Sequence, residues 1–119
     1  MEQILKFTYS DIKGELFRLK SKEMKTNFFM TEKQFNQLLM ENKIQLFKTE
    51  KACFLLADDD GFKRLYFIVS DVKEIKSFFY NYLNKFDGDI SIETAGNSDY
   101  LESVKEAFLQ NGFMNIHQW

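Results

Sequence analysis

Between residues 44 and 69 the chain carries three apolar runs so closely spaced that each must fold back on the one before it. They are Ile44-Gln45-Leu46-Phe47-Lys48, Ala52-Cys53-Phe54-Leu55-Leu56-Ala57 and Arg64-Leu65-Tyr66-Phe67-Ile68-Val69. Thr49-Glu50-Lys51 separates the first pair, and Asp58-Asp59-Asp60-Gly61 the second. A parallel neighbour needs a crossover of about a dozen residues or more, so connections this short permit only antiparallel pairing. An antiparallel meander over 44–48, 52–57 and 64–69 is therefore the frame on which everything else must pack.

Helix signatures flank that frame. Ile4-Leu5-Lys6-Phe7-Thr8 reads as a short first strand. Ser10 or Asp11 then offers an N-cap for a helix with Ile12, Leu16 and Leu19 on one stripe, weakened by Gly14. Residues 20–27 are polar and aperiodic, as a loop would be. Thr31-Glu32-Lys33-Gln34 has the form of a capping box, with Met30 and Phe35 placed as a hydrophobic staple. Phe35, Leu38 and Leu39 mark the buried face of that helix, which ends near Asn42.

After the meander, Asp71 and Glu74 form a second box. Val72, Ile75, Phe79, Tyr82, Leu83 and Phe86 recur at helical steps until Asp87-Gly88-Asp89. Ile90-Ser91-Ile92-Glu93-Thr94 alternates like a half-buried strand, and a right-handed crossover would set it parallel to 64–69. The last unit has Ser98 or Asp99 as cap and Glu102 in box position. Leu101, Val104 and Phe108 point inward, Gly112 ends the helix, and Phe113 to Trp119 form a final strand. The order β-α-α-β-β-β-α-β-α-β describes an α/β layered (α+β) domain with a mixed, mostly antiparallel sheet and helices on both faces.

Composition bounds what this domain can do. At 119 residues the chain is one domain, 1–119, by itself or within a longer or tandem protein. Its 14 phenylalanines supply a core, since aromatic side chains bury about 150–250 Å² each. The net charge is −2, and only Arg18 and Arg64 offer the fork suited to phosphate, so general nucleic-acid binding is disfavoured. Lys20, Lys22 and Lys25 beside Arg18 read as a solvated loop. Cys53, the single cysteine, lies in an apolar run and reads as a buried, inert thiol. The opening MEQILKFTYS lacks the apolar stretch of a secretory signal, and no run reaches the roughly 18 apolar residues of a membrane span, so the cytoplasm is the expected compartment.

Few motifs carry chemistry. The aspartates at 58–60 fail as a calcium loop, because a loop with Gly61 as its sixth residue would start at Leu56 and need a glutamate at Phe67. A hairpin turn accounts for them. His117 is the only histidine, so neither a zinc set nor a histidine-based triad with a second imidazole can be assembled. Gly96-Asn97-Ser98 leads into a helix start that can hold an anion or simply cap itself. The sequence presents no catalytic, cofactor-binding or metal-ligating residues.

The order of elements, the opening Ile4-Leu5-Lys6-Phe7…Ser10-Asp11-Ile12 and the ending Glu106-Ala107-Phe108-Leu109-Gln110-Asn111-Gly112-Phe113 resemble the GNAT acetyltransferase superfamily. The resemblance implies a GNAT-like fold over 4–119 and acetyl-CoA as the family's cofactor. It also implies a pyrophosphate loop at the start of the helix after the fourth strand, where this chain has Ser70-Asp71-Val72-Lys73-Glu74-Ile75-Lys76. That segment lacks glycine and places Asp71 and Glu74 where anionic oxygens would lie. The family's general-acid tyrosine falls on Phe108, whose ring has no proton to give.

The resemblance therefore implies a catalytically silent domain that serves as the partner or substrate-shaping half of an acetyltransferase assembly, without cofactor. One alternative is an active N-acetyltransferase holding CoA through the backbone of 66–70. Another is a small protein-interaction module using exposed aromatics. The terminal strand 113–119 is expected to dock on a second copy or an adjoining domain.

Overall fold

The structure, a computed structural model, describes residues 1–20, 24–82, 89–94, 102–110 and 117–118. The elements run β1 (Glu2–Ile4), α1 (Tyr9–Leu19), β2 (Lys25–Thr26), α2 (Glu32–Met40), β3 (Ile44–Lys48), β4 (Ala52–Asp59), β5 (Phe62–Val69), α3 (Lys73–Asn81), β6 (Asp89–Ser91), β7 (Glu93–Thr94), α4 (Glu102–Gln110) and β8 (His117–Gln118). Six strands form one mixed, mostly antiparallel sheet, in the order β1-β3-β4-β5-β2 with β6 also on β5.

The meander forms as the loop lengths require. Leu46 pairs with Leu55, and Leu55 with Tyr66. The hairpin closes tighter than the apolar runs suggest: Asp59 pairs with Phe62, which leaves a two-residue loop of Asp60 and Gly61 at φ 41° and 92°. Both residues are left-handed, as the turn that matches strand twist demands, and Asp-Gly tolerates that conformation best. β4 and β5 are thus eight residues long each, against five in β3.

β4 is buried on both sides. Ala52, Phe54 and Leu56 face α3 and α4, where Phe54 stacks on Phe78 at 4.2 Å and Phe67 meets Phe108 at 5.6 Å. Cys53, Leu55 and Ala57 face α1 and α2, where Phe35 packs edge-on against Phe7, Tyr9 and Phe28. The helices cover both faces, as the sequence predicts.

Other expectations need correction. β1 ends at Ile4 because Thr8 caps a helix: its Oγ1 accepts from the Asp11 amide and its own amide donates to Asp11 Oδ2 at 2.8 Å. Thr8, and not Ser10 or Asp11, is the N-cap. Gly14 is accommodated inside α1. α2 has the box expected of it, with Gln34 returning to the Thr31 amide, and Asn42 at φ 59° terminates it by sending Lys43 N–H back to the Leu38 carbonyl. The loop expected at 20–27 contains β2, a strand too short to show a period.

At α3 the box does not close. Asp71 Oδ1 accepts from the Lys73 amide, which shifts the helix start by one residue and makes Val72 the N-cap. Phe78 rather than Phe79 is the fully buried aromatic of that helix. β6 is parallel to β5, as the crossover rule requires, but the expected strand 90–94 breaks at buried Ile92 into β6 and β7. α4 buries Val104 and Phe108. Leu83, Phe86, Ser98, Asp99, Leu101 and Gly112 lie outside the described residues, as does Gly96-Asn97-Ser98. In the expected strand 113–119 the described part, β8, pairs in parallel with β7 of the same chain. No helix among the described residues is long and apolar enough to cross a membrane.

Candidate binding groove and the closed edge of β5

β5 has one edge on β4 and a second edge shared along its length. β6 takes Phe62 to Arg64, and β2 takes Ile68 and Val69. Between them the side chain of Asn27 substitutes for a strand: Nδ2 donates to the Leu65 carbonyl at 3.0 Å, and Oδ1 accepts the Phe67 amide at 2.7 Å. The Phe67 carbonyl accepts from the Asn27 amide and from Thr26 Oγ1. On the β4 side the ladder runs on past Val69, with the Ser70 amide and hydroxyl both donating to the Lys51 carbonyl. Asn27 is only 6% exposed, which is tolerable because its carboxamide is matched to two backbone groups.

The start of α3 is closed in the same way. Lys73 N–H goes to Asp71 Oδ1, Glu74 N–H to the Asp71 carbonyl and Ile75 N–H to the Val72 carbonyl. The aspartate is also within 3.9 Å of Lys51 Nζ. The amides that the GNAT resemblance would aim at phosphate are held within the chain, with a carboxylate among them. Phe108, in the general-acid position of that resemblance, is a core residue against Phe67.

A buried acid lies at this same end of the sheet. Glu15 of α1 is 7% exposed, with Lys48 Nζ 2.5 Å from Oε1 and Arg18 Nη2 2.7 Å from Oε2. Burial alone pushes the carboxyl up, but hydrogen bonds from Lys48 and Arg18, with their charges, bring it below the usual carboxylate value. Arg18 continues to the carbonyls of Glu50 and Thr49, so the cluster ties α1 to the β3–β4 turn. Cys53 is fully buried, and burial, with the Glu15 charge second, raises its thiol to about 12. A thiol so protonated is not a nucleophile.

The opposite end of the sheet is open. Register with β3 ends where Ile44 pairs with Ala57, so the hairpin projects beyond it. On the face shared with α1 and α2 this leaves a groove of about 610 Å³. Gln34, Gln37 and Leu38 of α2 form one wall, Phe29 and Met30 the near end, and Arg64 and Tyr66 part of the floor. Phe29 is 71% exposed although its neighbours Phe28 and Met30 are buried. Arg64 Nε is held by Asp59 Oδ2 at 2.6 Å, and Lys63 pairs with Asp58.

The 58–60 aspartates thus serve the hairpin and two ion pairs; the described residues contain no group of three or more histidine, cysteine or acidic side chains able to hold a metal ion. His117 lies in β8. Nothing local in the sequence marks Asn27, which sits in a polar stretch and whose partners are 38 and 40 residues away. Phe29 was equally hidden, since Phe28-Phe29-Met30 does not show which ring turns outward. Compared with known proteins, the chain matches no family model, no curated protein and no solved structure.

Proposed function

We propose that this chain is a catalytically silent binding domain with a GNAT-like order of elements, contributing a docking surface to a larger assembly. One observation carries the reading: from Leu65 to Val69 the second edge of β5 is engaged by Asn27 and by Thr26 and Lys25 of β2. A CoA arm lying along the backbone of 66–70, as the active alternative requires, would have to displace those bonds. Leaving the buried Phe67 amide and Leu65 carbonyl unpaired costs about 1–3 kcal/mol each. The capped start of α3 and the phenyl ring of Phe108 point the same way. The exposed Phe29 and its groove favour the binding role over a purely structural one.

Calorimetric titration with acetyl-CoA tests the proposal. No heat is expected up to about 1 mM ligand, where a site worth roughly 4 kcal/mol would register. A micromolar dissociation constant would overturn it.

A further inference from the structure

The groove under α2 does not end at the hairpin. A second hollow of about 320 Å³ adjoins it, formed by the hairpin and Asp89 at the start of β6. Asp58 and Asp59 line both concavities. The two halves differ in chemistry. The first is dominated by the apolar surfaces of Phe29, Met30, Leu38 and Tyr66. The second presents Asp58, Asp59, Asp60 and Asp89 against Lys63, with Arg64 alongside. Asp58 and Asp59 are neutralised by Lys63 and Arg64. Asp60 and Asp89 have no ion pair among the described residues and face solvent.

We infer that this composite surface receives an extended polypeptide segment bearing an apolar anchor residue next to lysine or arginine. The inference rests on reading the chain as a binding domain and names what it binds. The anchor enters between Phe29, Leu38 and Tyr66, and the basic residues lie over Asp60 and Asp89. Charge complementarity selects a basic occupant, because the rim carries more carboxylates than cations. A segment long enough to fill both hollows suits the geometry better than a compact ligand, since the shared Asp58–Asp59 wall separates the apolar and acidic parts. β-strand addition is not the mode. The edge of β5 is already taken at Leu65 and Phe67, so side-chain pockets must supply the affinity.

A random dodecamer phage library panned on the full chain provides the probe. Enriched peptides should share an aromatic or large aliphatic residue flanked by lysine or arginine. Synthetic copies should lose about tenfold or more in affinity for Phe29→Ser, as hot-spot anchors do when their contact is removed. They should lose about threefold to tenfold for Asp60→Asn with Asp89→Asn, and bind less tightly as salt rises. Asparagine is chosen at 60 because it tolerates the positive φ there. Both variants should melt with the parent, since Phe29, Asp60 and Asp89 are all exposed. No enrichment, an acidic or anchorless consensus, or unchanged affinity for Phe29→Ser would each overturn the inference. Such a failure is separable from failure of the silent-domain reading, which the acetyl-CoA titration reports independently.

Discussion

The two ends of the β4–β5 ribbon are built from the same pair of strands and have opposite fates. At the end holding Val69 and the β3–β4 turn, polar groups converge: Asn27 and Thr26 on β5, Ser70 and Asp71 with Lys51, and Glu15 with Lys48 and Arg18. At the hairpin end the sheet outruns β3 and its helical cover, and Phe29, Asp60 and Asp89 stand in solvent. A strand's availability therefore depends on how far its neighbours reach. Matched lengths close one end, and a mismatch of a few residues opens the other.

The largest expected effect separates an open surface from a loose core. Phe35 anchors α2 beneath the groove and is fully buried, so Phe35→Ala should cost about 3–5 kcal/mol in urea denaturation. A cost below about 1 kcal/mol would mean that α2 is not seated as described.

Asn27→Ala attacks the closed end directly. It removes both partners of Leu65 and Phe67, leaving a buried carbonyl and amide, and should cost about 2–4 kcal/mol. In hydrogen exchange the Phe67 amide should lose protection before its neighbours on β4. Full protection in the variant would show that something else satisfies this edge.

Glu15→Gln tests the ionic tie at that same end, with an expected loss of about 1–2 kcal/mol at neutral pH, where partly exposed Lys48 and Arg18 are screened by solvent. The carboxyl titrates below its ordinary value of 4.5 in the folded state. Its stabilisation is therefore complete above that value and disappears as pH falls through the lower, folded one. The gap between parent and variant should close on the acid side only. A gap that persists at a pH where the carboxyl is protonated would assign the effect to packing.

The smallest effect completes the comparison. Phe29→Ser should change stability by less than about 0.5 kcal/mol, although it replaces a phenylalanine in a Phe-Phe-Met run. Thermal melting at matched concentrations checks this, and a loss like that of Phe35→Ala would place Phe29 in the core.

The antiparallel frame and several local boundaries are legible in the order of residues alone. Three- and four-residue gaps decided the meander, Asp60-Gly61 its hairpin, Thr31 and Gln34 the start of α2, and the crossover rule the direction of β6. Each depends on groups a few residues apart, so the relevant energies are written locally. Tertiary structure decided which edge is sealed, which Phe turns outward and where the acid is buried. Asn27 in a polar stretch and Phe29 beside Phe28 have no local signature, because their burial or exposure depends on strands brought beside them by folding. A carboxamide is driven onto Leu65 and Phe67 by the penalty for leaving buried backbone groups unpaired, and that penalty exists only once the chain has collapsed around them.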